Sequence, residues 1–164
     1  MKTVIETGIY PEIEKLDFSR IKHKLMLSEE SEPWTFETCE LAEREYKRFL
    51  TLIKLNPKIE IVPTKLMDAF WHQHILDTVA YQKDCQAIFG YFLHHFPYFG
   101  IYGKEDKANL DHTFERTKAL YFKHFTNEMC NPEASRCQDH ACHAESSCAC
   151  RVSGACKNHG AINK

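Results

Sequence analysis

Every aromatic residue of this 164-residue chain lies at or before Phe125. Residues 127–164 consist mainly of small, polar and cysteine residues, which bury too little apolar area to offset the entropy lost on ordering. The chain therefore divides in two. We predict a body, residues 1–126, that folds around its own core, and a Cys/His-rich, poorly structured C-terminal tail, residues 127–164, that needs crosslinks or metal ions to become ordered.

The body is predicted to be all-α, a small bundle of about four helices. Apolar residues recur at steps of three and four between positions 37 and 55, which is typical of a helix with one buried face, and Asn56 and Pro57 end that pattern. A third helix ends at Gly90, a residue that favours the left-handed conformation of a C-terminal cap. The four helices are predicted over residues 16–27, 37–55, 65–89 and 107–125.

Composition excludes several classes of partner. Hydrophobic residues make up 43% of the chain, enough for one domain with a usable core. The 21 basic and 23 acidic residues are mixed along the sequence, so no basic stripe suited to nucleic acid is present. The N-terminus is charged throughout and no run of about 18 apolar residues occurs, which argues against a signal peptide and a membrane span. We expect a soluble, cytoplasmic protein.

Residues 68–100 place four of the ten histidines in an apolar and aromatic stretch, where unpartnered imidazoles would be costly to bury. At about 100° per residue, the third helix carries one polar ladder on its aromatic face. His72 falls on a different side, where it pairs at i,i+4 with Asp68. The ladder comprises His74, Thr78, Tyr81 and Cys85.

The order of these residues resembles a known family, the glycine-rich domain-containing protein-like domain, over about residues 32–126. The residues that carry the resemblance are Tyr46-Lys47-Arg48-Phe49-Leu50, Val62-Pro63-Thr64, Asp68, Trp71-His72, His74, Thr78, Tyr81, Cys85, Gly90, His94-His95 and Pro97. Bacterial members usually read HHxPTxGG at the loop, whereas this chain has Tyr98-Phe99-Gly100 after Pro97 and lacks the glycine-rich tract. The resemblance implies a domain boundary and a motif list, and it implies no activity.

Two interpretations of the motif remain open. In the structural one, buried hydrogen bonds pin the long helix to the loop after Gly90; the residues involved are Trp71, His72, His74, Tyr81 and His94. In the functional one, a three- or four-ligand site for zinc or another divalent metal forms. Its ligands are His74 with Cys85 or Asp77, joined by His94 or His95. An enzyme would also need an open coordination position and a general base, for which Asp77 or Asp84 is available.

The tail is a second candidate metal site. It contains six thiols and several imidazoles, enough to bind two tetrahedral zinc ions or a small copper(I) thiolate cluster. Clustered thiols in the cytosol bind metal more often than they form disulfides, although a disulfide or redox role and an inert extension are alternatives. The predicted ligands are Cys130, Cys137, His140, Cys142, His143, Cys148, Cys150 and Cys156.

The function favoured by the sequence is zinc or copper binding, for metal buffering or delivery. One alternative is a non-catalytic module that binds a protein partner and uses the His/Tyr/Cys ladder as core. Another is a metal-dependent enzyme that uses the region of His74 and His94. Neither the oligomeric state nor the identity of a partner follows from the sequence.

Overall fold

The computed structural model describes residues 7–29 and 31–130. These residues form six α-helices and contain no β-strand, which confirms the all-α prediction. The helices are α1 (Pro11–Glu14), α2 (Ser19–Met26), α3 (Phe36–Leu55), α4 (Lys65–Leu76), α5 (Thr78–Phe89) and α6 (Lys104–Phe125). No helix in this part of the chain is long and apolar enough to cross a membrane.

The predicted helix over residues 65–89 is wrong as one element, because the chain breaks it at Asp77. This residue has a ψ of 70°, far from helical, and serves both as the last cap of α4 and as the first cap of α5. Its Oδ1 accepts a hydrogen bond from the Ala80 backbone N–H at 3.3 Å. A short acidic side chain that competes for backbone N–H groups favours a helix start, which explains the break. The short helix α1, begun by Pro11, was also not predicted.

Side-chain caps fix the starts of the two helices at the centre of the fold. Thr35 Oγ1 accepts from the Thr38 backbone N–H at 3.1 Å at the start of α3. At the start of α4, the fully buried Thr64 accepts from the Met67 N–H at 3.2 Å. Such caps pair N–H groups that have no partner inside the helix.

The core lies where α1, α2 and α4 pack against α3. Phe18, Tyr46 and Phe70 meet there with ring centroids 5.4 to 5.6 Å apart, and each is at most 2% exposed. Helix α6 joins this core through Tyr121, whose hydroxyl donates to Glu45 Oε2 at 2.8 Å. Met129 is also buried, so packed residues continue three positions beyond the predicted boundary at residue 126.

Gly90 ends α5 in the left-handed region, with φ of 78°, as predicted from the sequence. Apart from its neighbours along the chain, no atom lies within 4 Å of the position where a Cβ would be, so the cost of a side chain here is backbone strain and not a clash. We expect Gly90→Ala to lower the free energy of unfolding by about 1 kcal/mol, measured by urea denaturation. Ala87 lies on the exposed face of the same helix. Ala87→Gly is the control, because it lowers helix propensity at a position whose backbone is not left-handed.

Candidate metal centre

Two of the three side chains of the candidate centre come from α4. Asp68 and His72 are one helical turn apart, and His72 Nε2 lies 3.4 Å from Asp68 Oδ1. Their side chains are 3% and 6% exposed. The prediction that His72 faces away from His74 and pairs with Asp68 is confirmed.

The third side chain comes from the loop after α5. His95 Nε2 lies 2.7 Å from Asp68 Oδ1 and 3.0 Å from His72 Nε2. Among the residues that the structure describes, Asp68, His72 and His95 are the only group of three ligand-type side chains close enough to share one metal ion. We call this group the triad.

A chain of hydrogen bonds holds His95 beside Asp68 and His72, the other two members of the triad. Trp71 Nε1 donates to the Tyr81 hydroxyl at 2.9 Å, and that hydroxyl donates to the carbonyl oxygen of Leu93 at 2.5 Å. The His95 ring then packs on Trp71, with ring centroids 4.5 Å apart. Because Leu93 is only two residues before His95, anchoring its carbonyl restricts where the third triad ring can lie.

The three close contacts of the triad form the edges of a triangle. Each Nε2 carries at most one hydrogen, so hydrogen bonds can pair two of the three edges directly, and the third separation follows from both rings converging on Asp68. One cation would attract all three atoms, so the same arrangement also suits a shared metal ion. In a tetrahedral zinc site with bonds of about 2.0 Å, neighbouring ligand atoms lie about 3.3 Å apart. The observed separations are 2.7, 3.0 and 3.4 Å, so a bound zinc ion would need outward movements of a few tenths of an ångström at the two shorter contacts.

The triad opens onto a cleft of about 270 Å³. The cleft lies between the segment before α4 and the loop after α5, and Asp68 and His95 both line it. Most of the other lining is apolar, including Ile61, Trp71 and Phe99. Three protein ligands beside an accessible cleft correspond to the open coordination typical of catalytic zinc sites and of the two-histidine, one-carboxylate iron sites.

His74, predicted as a metal ligand, is bonded elsewhere in the core. Its Nδ1 lies 2.9 Å from the Tyr46 hydroxyl and its Nε2 lies 3.1 Å from Asp84 Oδ2, so both ring nitrogens have protein partners. Burial lowers the pKa of His74, although the Asp84 carboxylate opposes that change. The structure therefore gives His74 the hydrogen-bonded arrangement of the structural interpretation.

Among the described residues, none of the other predicted ligands belongs to a group of three ligand-type side chains close enough to share a metal ion. Cys85 is buried near Tyr81 and Leu93, and burial raises its thiol pKa although both neighbours oppose the shift. Thr78 is exposed because the break at Asp77 turns it out of the predicted ladder. His94 is exposed and packs against Phe92.

Cys130 is partly buried. The other predicted tail ligands, Cys137, His140, Cys142, His143, Cys148, Cys150 and Cys156, lie outside the described residues.

The lowered pKa of His74 predicts a stability that falls in mild acid. The unfolded chain binds a proton on this residue near pH 6.5, while the folded chain resists it. This contribution is therefore present above pH 6.5 and is lost as the pH falls below it, at up to about 1.4 kcal/mol per pH unit. Urea denaturation between pH 7.5 and 5.5, with chelator present, should show a smaller pH slope for His74→Gln than for the unsubstituted chain. Equal slopes would contradict the assignment.

Comparison with known proteins places the chain in a family. A sequence model of the family described as UCP032817-like matches residues 11–137, well over half of the chain. The chain belongs to the UCP032817-like family. The match spans α1 to α6 and includes every residue of the triad. Comparisons with curated proteins and with solved structures gave no significant match. The UCP032817-like name carries no activity, so function must be argued from the triad and its cleft.

Sequence reasoning named each triad residue but did not join them. The sequence predicts His95 as a ligand and Asp68 with His72 as a separate pair. The available signal was their i,i+4 spacing, which puts two ligand-type side chains on one helix face. What the sequence did not indicate was which of two adjacent histidines the loop turns inward.

Proposed function

We propose that this protein binds a divalent transition metal through Asp68, His72 and His95. The observation that carries the proposal is the convergence of three ligand atoms, each within 3.4 Å of the others, from side chains at most 14% exposed. Two imidazoles and one carboxylate suit Zn²⁺ or Fe²⁺ rather than copper(I), which prefers thiolates.

The tail extends the proposal to a second class of ligand. Its six cysteines suit zinc or copper(I), and together with the triad they would let one chain hold a borderline and a soft ion. Thiolates remain available for metal only in a reducing compartment, which supports a cytoplasmic protein that buffers or delivers metal. The resemblance to the glycine-rich domain-containing protein-like domain belongs to this proposal, because its motif includes all three triad residues.

A metal-dependent enzyme is a second candidate, favoured by the cleft beside the triad. Three protein ligands leave a position at which a metal-bound water can ionise near neutral pH. This candidate differs from the sequence-based one, since it uses the triad and does not use His74.

The test is metal content measured on four full-length chains purified without a metal-affinity tag. The first is unsubstituted, the second has the six tail cysteines replaced by serine, the third carries His72→Ala, and the fourth combines both changes. We expect the tail-serine chain to retain one equivalent of zinc or iron and the combined chain to retain none. Elemental analysis distinguishes the two ions.

The rival hypothesis is that the triad is a purely structural, hydrogen-bonded group without metal, in a module that binds a protein partner. Exposed aromatic side chains in and beside the loop, among them Tyr91 and Phe96, favour such a surface. In that case the tail-serine chain contains no stoichiometric metal after dialysis against zinc, and His72→Ala lowers the melting temperature equally with and without added zinc.

A further inference from the structure

The cleft beside the triad has features that select a ligand, and this inference rests on the proposed metal site. Trp71 and Leu93 belong to the same hydrogen-bonded anchor that orders the third metal ligand. Both also line the cleft. The cleft is therefore built on ordered side chains at the metal end, and its 270 Å³ lies near the lower limit of small-molecule pockets.

Charge selects the head group of the ligand. A divalent ion bound by one carboxylate and two neutral imidazoles leaves one positive charge in a largely buried position, and a single negative ligand atom would neutralise it. No lysine or arginine is among the described residues that line the cleft. The other groups in the lining that can donate to an anion include the side chains of Asn56 and His94, and neither is a permanent cation. Glu60, also in the lining, would repel a second negative charge.

Shape and polarity select the rest of the ligand. Beyond the triad the lining is dominated by proline, aliphatic and aromatic side chains. Phe96 lines the cleft and is 65% exposed, so much of its ring is available to contact a ligand. An aromatic body would pack against such rings in stacked or edge-on arrangements.

We propose that the cleft binds a small monocarboxylate with an apolar, aromatic body, whose carboxylate occupies the open coordination position of the triad-bound metal. A molecule of this class meets three requirements at once: one negative charge, a metal-ligating oxygen and an apolar remainder. A dicarboxylate or phosphate ester would carry a second negative charge for which the lining provides no lysine or arginine.

Cobalt(II) serves as the probe, because its visible absorption reports the atoms bound to the metal. The protein is the full-length chain with the six tail cysteines replaced by serine, which leaves the triad as the predicted cobalt site. Three probes are compared: 3-phenylpropionate, acetate as the head without the body, and 3-phenylpropanol as the body without the charge. We expect 3-phenylpropionate to change the spectrum with at least about tenfold higher affinity than acetate, and 3-phenylpropanol to leave it unchanged.

Two exposed phenylalanines provide matched variants. Phe96→Ala should weaken 3-phenylpropionate about fivefold and leave acetate unaffected. Phe122→Ala, which removes a ring of similar exposure from α6 outside the cleft, should change neither. Equal affinities for acetate and 3-phenylpropionate, or triad-bound cobalt with an unchanged spectrum, would overturn this inference and leave the metal site standing. Absence of cobalt binding that depends on His72 would overturn both.

Discussion

His95→Ala is expected to lower the zinc affinity of the triad by more than about 100-fold, because even the loss of a partner supporting a metal ligand costs 10- to 100-fold. His94→Ala should change it by less than about threefold, within the range of a surface change. The two histidines are adjacent in sequence, but only His95 lies within 3.4 Å of the other triad atoms. Competition with a chromophoric chelator in the tail-serine chain measures both affinities.

Thermal denaturation gives an independent measurement of the same difference. Zinc at 100 times its dissociation constant should stabilise the chain by about 2.7 kcal/mol, and His95→Ala should remove that gain at the same zinc concentration. His94→Ala should keep it. If both variants lost the zinc-dependent gain equally, the loop would hold its metal differently from the arrangement described here.

Glu45→Ala is expected to lower the free energy of unfolding by about 2–4 kcal/mol, because it leaves the largely buried Arg48 guanidinium and the buried Tyr121 hydroxyl without their shared acceptor. Glu45 is fully buried on α3. It accepts from Arg48 Nη1 at 3.1 Å and from the Tyr121 hydroxyl at 2.8 Å. Its removal therefore also loosens the attachment of α6 to α3.

Glu40→Ala is the matched control for this loss. Glu40 lies on the same helix and pairs with Lys22, but its side chain is 48% exposed and solvent weakens the attraction. Its replacement should cost about 1 kcal/mol or less. Urea denaturation of both variants distinguishes a buried polar junction from a surface ion pair. A similar small loss for the two would show that the hydrogen bond between Arg48 and the Tyr121 hydroxyl is enough for both groups.

Most of the fold could be predicted from the apolar periodicity and the helix caps in the sequence. The segment from 37 to 55 and the cap at Gly90 were predicted because local residues determine them. The break at Asp77 was missed, since the apolar pattern continues through it and the side-chain cap on Ala80 becomes visible only in three dimensions. The short α1 gives too few residues for a period to be recognised.

The candidate site was predicted less completely than the fold for a related reason. Helix geometry alone separates His72 from His74, and this part of the prediction was correct. The partner of His72 across the fold depends on a loop whose path is set by Tyr81 and Leu93. Such a path is a tertiary property, so the choice between His94 and His95 had no local signal.

The hydrogen-bonded anchor of Trp71, Tyr81 and Leu93 has a consequence for the lifetime of a bound metal. Tyr81 holds the Leu93 carbonyl, and with it the backbone that leads to His95, so the His95 ring would stay near the other two ligands even if it released a bound metal. Removing the anchor with Tyr81→Phe should therefore act mainly on the rate of metal release, as most affinity changes do. Under the proposed function, a triad anchored in this way would release its metal slowly, which suits storage in a metal buffer more than rapid delivery.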